Sequence, residues 1–144
     1  MDDLYQSLFK AQTSLFHLFQ KTWAFHWNVV GQDFQQLHTL FGEQYNTMFE
    51  EIDRLTEHMR YLRMKPFNSL AKVVEISEIA SVDGQPDAKS MITRLVADNK
   101  KIVDLLTDVI EKAEASKQYT TSNIAQDLIE THGKFIWMLR SFLT

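Results

Sequence analysis

The chain predicts an all-α domain, a four-helix bundle with one long crossover that carries a short helix of its own. Three observations predict it. Apolar residues recur at spacings of three and four through four long segments. Only four Gly and two Pro interrupt 144 residues, so the segments run unbroken. The connection after the second segment is too long for a tight turn, and it lets the third helix run parallel to the second. At this length one domain, 1–144, is expected.

The first helix starts at once, with Asp2 or Asp3 as its cap and their charge favourable at that end. One stripe is Leu4, Leu8, Ala11, Leu15, Phe19, Thr22, His26 and Val29, and a second is Phe9, Phe16 and Trp23. A helix apolar on two faces must bury both, so one face serves the bundle and the other a subunit contact. The second helix is predicted from about Phe34 to Tyr61, capped by Asp33, with Leu37, Phe41, Met48, Ile52, Leu55 and Met59 inward. Pro66 closes this region. LAKVVEI is the short crossover helix, and Asp83-Gly84-Gln85-Pro86 is a turn. The third helix begins near Asp87, with Met91, Leu95, Ile102, Leu105, Val109 and Ala113 as its core stripe. Residues Ser116 to Thr120 read as a loop, and Ser122 or Asn123 as the cap of the fourth helix. There Ile124, Leu128, His132, Phe135, Leu139 and Phe142 repeat at helical spacing, while Trp137 and Met138 leave the end broadly apolar for a subunit contact.

Composition removes several functions. The absence of cysteine excludes disulfides, thiolate metal sites and cysteine nucleophiles, and it fits a cytoplasmic setting. A net charge of −4 opposes general nucleic-acid binding, which needs a basic surface. No apolar run approaches the ~18 residues of a membrane span, and the acidic start is not a signal peptide.

The chemistry-bearing residues are His26, His38, Asp53 and Glu57. His26 and His38 stand six residues either side of Gln32, around the turn Val30-Gly31-Gln32. In a helical hairpin such positions share a height, so the two imidazoles can face each other. Asp53 and Glu57 are an i, i+4 pair, about 6 Å apart at Cβ. Either pair alone reads most simply as ordinary structure: a core histidine with its hydrogen bonds met, or two acids on a solvated face. Their combination reads as a metal site, because four ligand-type side chains then stand at consistent heights. His38 and Asp53, however, are separated by roughly 22 Å along one helix. A single ion reaches both pairs only if a second copy, packed antiparallel about a two-fold axis, lends its acids to these histidines.

The segment HWNVVGQDFQQLH, followed by IDRLTE and closed by FIWMLRSFL, resembles the signature of the Dps family, the small ferritins of starved or stressed bacteria. The likeness spans most of the chain. It implies a ferritin-like fold, a hollow homo-oligomeric shell of twelve subunits, and a ferroxidase site across a two-fold interface. The metal ligands so implied are His26 and His38 from one subunit with Asp53 and Glu57 from its mate. Fe(II) is the substrate, hydrogen peroxide the oxidant and ferric mineral the product, with no organic cofactor. Those histidines ligate as neutral rings, so metal binding weakens below about pH 6. The family places a further carboxylate four residues after the second histidine, and here that position is Gly42. Glu43 is next to it but turned by ~100°. A shell that binds metal weakly and oxidises little is therefore the alternative. The family's glycine pair after the second helix is replaced by Arg63-Met64-Lys65-Pro66. Some members package DNA through Lys-rich tails. This chain begins Met1-Asp2-Asp3 and ends Leu143-Thr144, so DNA binding is not expected. Asp127 and Glu130 are candidates for an acidic iron pore, or simply acids that complement a helix dipole. Trp27, beside His26, reads as a packing aromatic, or else as a trap for stray oxidising equivalents.

Overall fold

The structure, a computed structural model, describes residues 2–144. Four long helices form the bundle: α1 (Asp2–Asn28), α2 (Phe34–Tyr61), α4 (Ala88–Ala115) and α5 (Tyr119–Arg140). The short α3 (Leu70–Ile76) lies in the crossover, and one turn of 3-10 helix, Ser141–Leu143, follows α5. Among the described residues no helix is long and apolar enough to cross a membrane.

α1 is the spine. Gly31, at φ 114°, reverses the chain after it, so that α2 returns antiparallel along one side. Gln12 Nε2 donates to Thr56 Oγ1 at 2.8 Å, far down that hairpin. On the other side Lys21 pairs with Asp98 at 2.7 Å, which sets α4 antiparallel to α1 and hence parallel to α2. Leu8, Leu15, Leu18, Leu37, Met48, Leu95, Ile102 and Leu139 are almost wholly buried along the axis between them.

The crossover is tied to α1 by polar side chains that the helix buries on its third face. Glu78 N donates to Ser14 Oγ at 2.9 Å, and Lys21 Nζ to the Ala80 carbonyl at 2.9 Å. His17 bridges Ser77 Oγ through Nδ1 at 3.0 Å and Ser81 Oγ through Nε2 at 3.1 Å. Burial, and then the neighbouring Lys21 charge, lower the His17 pKa. α3 starts where Ser69 Oγ accepts from Lys72 N, a conventional cap.

Two predicted helix starts need correction, and a third, α2 at Phe34 behind Asp33, stands where predicted but without a side-chain capping bond. α1 already includes Asp2, so Asp2 and Asp3 occupy its first turn instead of its cap, and the cap position falls outside the described residues. Asp33 does precede α2, but its side chain makes no capping bond; its carbonyl accepts from Leu37 N instead. α5 begins at Tyr119, so Ser122 and Asn123 lie inside it. The reason is the tight end of α4. Lys117 adopts φ 60°, and Gln118 N returns to the Ala113 carbonyl at 2.7 Å, which leaves Gln118 placed to start the next helix. Ser122 spends its hydroxyl on Glu114 Oε2 at 2.8 Å.

Candidate metal centre

His26 and His38 meet at the turn end of the α1–α2 hairpin, as their equal distance from the turn predicts. Their rings stack with centroids 3.8 Å apart and planes inclined by 15°. His26 Nδ1 lies 2.6 Å from the His38 carbonyl oxygen, and His38 Nδ1 lies 2.7 Å from the His26 carbonyl oxygen. A carbonyl only accepts, so each Nδ1 carries the hydrogen and donates it. The exchange fixes both tautomers: in the neutral ring each Nε2 keeps an unshared lone pair. Such a bond from the distal nitrogen is what orients a metal-binding histidine and raises its basicity. Nearly parallel planes at this spacing do not converge within the ~2.1 Å of a metal–nitrogen bond. The pair therefore presents two separate donors unless the rings splay.

The rings lie in an aromatic setting. Tyr45 meets His26 edge-on at 5.3 Å and stacks on Trp23 at 5.5 Å, while Trp23 contacts Trp27 at 4.8 Å. Trp27 remains 57% exposed and Phe49 64% exposed in one copy. Of the second apolar face of α1 that the sequence predicts, Trp23 is exposed while Phe9 and Phe16 are half-buried. Phe16, Phe19, Phe49, Ile52 and Phe67 form an apolar groove there, with Asp53 on its rim.

Asp53 and Glu57 project from the solvent side of α2, both exposed. A hydrogen bond from Asp53, and then its charge, raise the Glu57 pKa. Two like charges on neighbouring turns favour the arrival of a cation. Among the described residues of one copy, no three metal-ligating side chains come together. The structure thus assembles the histidines with each other and the acids with each other, but not the two pairs.

Gly42 faces His26. A Cβ at position 42 would stand 3.0 Å from His26 Cε1 and 3.1 Å from Nδ1. Glycine inside a helix costs roughly 0.5–1 kcal/mol relative to alanine, and of the two helical glycines only Gly42 meets a neighbour where its Cβ would stand. Glu43 is exposed beside the groove of Trp137 and Phe142, away from the histidines. Asp127, a pore candidate, accepts from Arg54 at 3.0 Å, and Glu130 pairs with Lys134 at 3.7 Å.

One polar cluster was not foreseen. His132, wholly buried on α5, engages Asn99 Oδ1 through Nδ1 at 2.7 Å and Glu51 Oε1 through Nε2 at 2.8 Å. The only sequence signal was that His132 falls in an apolar stripe.

Comparison with known proteins agrees with this architecture. The family described as ferritin-like domain matches residues 5–144. The chain is 31% identical over 126 residues to DNA protection during starvation protein 2 of Bacillus anthracis, covering 88% of this chain and 86% of that one. The crystal structure of Dps from Thermosynechococcus elongatus superposes with a TM-score of 0.96 at 26% identity, covering 99% of this chain and 91% of that one. Dps from Vibrio cholerae O1, described as a member of a broad superfamily of ferritin-like diiron-carboxylate proteins, superposes at 0.94 with 26% identity, covering 99% and 90%. A bundle with this crossover, matched along nearly its whole length in sequence and in structure, belongs to the Dps family of ferritin-like proteins.

Proposed function

We propose that this protein is an iron-storing mini-ferritin that oxidises Fe(II) at a site shared between two copies. His26 and His38 of one copy supply neutral nitrogen donors, and Asp53 and Glu57 of the other supply the charge. The observation that carries this reading is the reciprocal bonding of the two Nδ1 atoms, which leaves both Nε2 atoms free and preset. The exposed aromatic face between the histidines and the acids supports a second copy as the cover. The i, i+4 acids gain what they lack when a cation arrives, since it offsets the like charge beside Glu57 that raises its pKa.

Hydrogen peroxide is the oxidant this reading assigns. Two Fe(II) ions each lose one electron to one peroxide, its O–O bond breaks, and with two protons two waters form. Ferric ions then hydrolyse and collect inside a closed shell, for which the resemblance supplies the count of twelve subunits.

Gly42 favours a second reading, a shell with weak metal binding and slow oxidation, because the histidine side of the site carries no carboxylate. An anaerobic Fe(II) titration followed by peroxide separates the two. The ferroxidase reading expects oxidation well above the buffer rate and its loss in His38→Ala. A wild-type rate equal to buffer, or an unchanged rate in His38→Ala, leaves the shell reading standing. A DNA mobility shift that weakens with salt would add a packaging role, which a net charge of −4 does not favour.

A further inference from the structure

Large aromatics gathered on one exposed face mark a contact surface. Along the α1–α2 hairpin Trp23, Trp27 and Phe49 are 37%, 57% and 64% exposed in one copy. Beside them lies a groove of about 240 Å³ between the two helices. Phe16, Ile52 and Phe67 form its apolar walls, while Gln12, Asp53 and Thr56 stand at its polar end. Trp23 and Trp27, in contact at 4.8 Å, form a ledge one turn long at the other end of the hairpin.

Levels along the hairpin say what covers the groove. Gln12 is level with Thr56, because Nε2 of the first donates to Oγ1 of the second. His26 is level with His38, because each ring reaches the other's carbonyl. The proposed site sets the histidines of a second copy against Asp53 and Glu57 of the first, and Thr56 lies in that same turn. His26 of the second copy then stands level with Gln12, at the polar end of the groove. Trp27 follows it directly, turned by ~100° on the helix. Trp23, one turn nearer the two-fold axis, falls level with Phe16. An indole also suits this end of the groove, since its N–H takes an acceptor when buried, and Asp53 and Thr56 offer oxygens.

We propose that the groove is the seat for Trp27 of a second copy. The indole enters against Phe16, Ile52 and Phe67 with its N–H at the polar end. The two-fold axis makes the same contact twice, once beside each metal site. The placement rests on the proposed function, which supplies the register; the contact itself needs no metal.

Two tests use the assembled, metal-free protein. In the first, benzoylphenylalanine replaces Trp27 and is irradiated. A product of twice the chain mass is expected, with its crosslink mapped by mass spectrometry to Phe16, Ile52 or Phe67 or to their chain neighbours. A crosslink confined to one chain or to another part of the second copy overturns the proposal, and so does the absence of any crosslink. In the second, Trp23→Phe with Trp137→Phe leaves Trp27 as the sole emitter of the chain's three tryptophans. Its emission lies to the blue and acrylamide quenches it weakly, although the ring is 57% exposed in one copy. Phe67→Ala enlarges the groove and raises the quenching, whereas Tyr119→Ala, at an exposed position on α5, leaves it unchanged. Free quenching in the assembled protein, or no rise with Phe67→Ala, overturns the proposal.

Anaerobic Co(II) titration separates this inference from the proposed function. If wild type binds Co(II) and both His38→Ala and Asp53→Asn lose it, yet Trp27 does not reach the groove, the seat alone fails. If Trp27 crosslinks in the groove and wild type takes no Co(II), the metal site alone fails.

Discussion

His132 and His26 invite comparison, because they differ in how many ring nitrogens they spend. His132 continues an apolar stripe of α5 and spends both ring nitrogens inside the bundle, on Asn99 and Glu51. His26 continues an apolar stripe of α1 and spends one nitrogen, on the His38 carbonyl, while His38 returns the same bond. The sequence context of the two is alike. What separates His132 from the proposed ligand His26 is the ring nitrogen that His26 leaves unspent. His17 falls on the structural side as well, with a serine on each nitrogen.

The comparison breaks most visibly at His132. His132→Ala strands the buried Glu51 carboxylate and Asn99, and leaving buried polar groups without their partner costs about 1–3 kcal/mol each. The thermal midpoint should drop sharply while Fe(II) oxidation per folded protein persists, measured by stopped-flow absorbance. Loss of oxidation with no loss of stability would place His132 at the metal centre instead. His26→Ala reverses the pattern. Oxidation falls to the buffer rate, while stability changes by only ~1–2 kcal/mol, the worth of one or two partly exposed hydrogen bonds.

A smaller effect follows from His17. Burial, with Lys21 beside it, lowers its pKa in the folded protein, and burial with Arg54 does the same for His58. The unfolded chain then binds more protons as pH falls below about 6.5, so stability declines in that direction. Thermal midpoints between pH 8 and pH 5 should show the decline, and His17→Gln should flatten it. An identical slope in that variant would remove His17 from the explanation. The smallest effect is at Asp53. With Asp53→Asn the neighbouring charge is gone, and the Glu57 pKa, raised by that residue in the native chain, should fall toward the ordinary carboxylate value. A carbon-13 NMR titration of Glu57 reads this directly, and an unmoved value would show that the two acids do not interact.

The bundle was legible because each long helix repeats its apolar residues at three and four, and burial follows those stripes from Leu4 to Leu139. The stacking of His26 on His38 was legible because two positions equidistant from a turn must share a height. Partners are harder to read than faces. Periodicity puts His132 inside but says nothing of Glu51, which arrives from another helix 81 residues away. The start of α5 was misread for a related reason. Ser122 has the right chemistry for a cap, but the fold gave its hydroxyl to Glu114 at the end of α4. Gly42 was visible in the sequence as a missing carboxylate, and only coordinates show what fills the space it leaves.

If one copy's histidines work with another copy's acids, two inactive variants complement each other in a mixed assembly. A chain carrying His26→Ala and His38→Ala is co-assembled in equal amounts with one carrying Asp53→Asn and Glu57→Gln. Each parent alone is inactive. In a two-fold pair of unlike copies, one of the two sites is whole, so random pairing restores about a quarter of the sites. Peroxide-driven iron oxidation near that fraction of the wild-type rate is the expected result. Mixed assemblies no more active than their parents would contradict it.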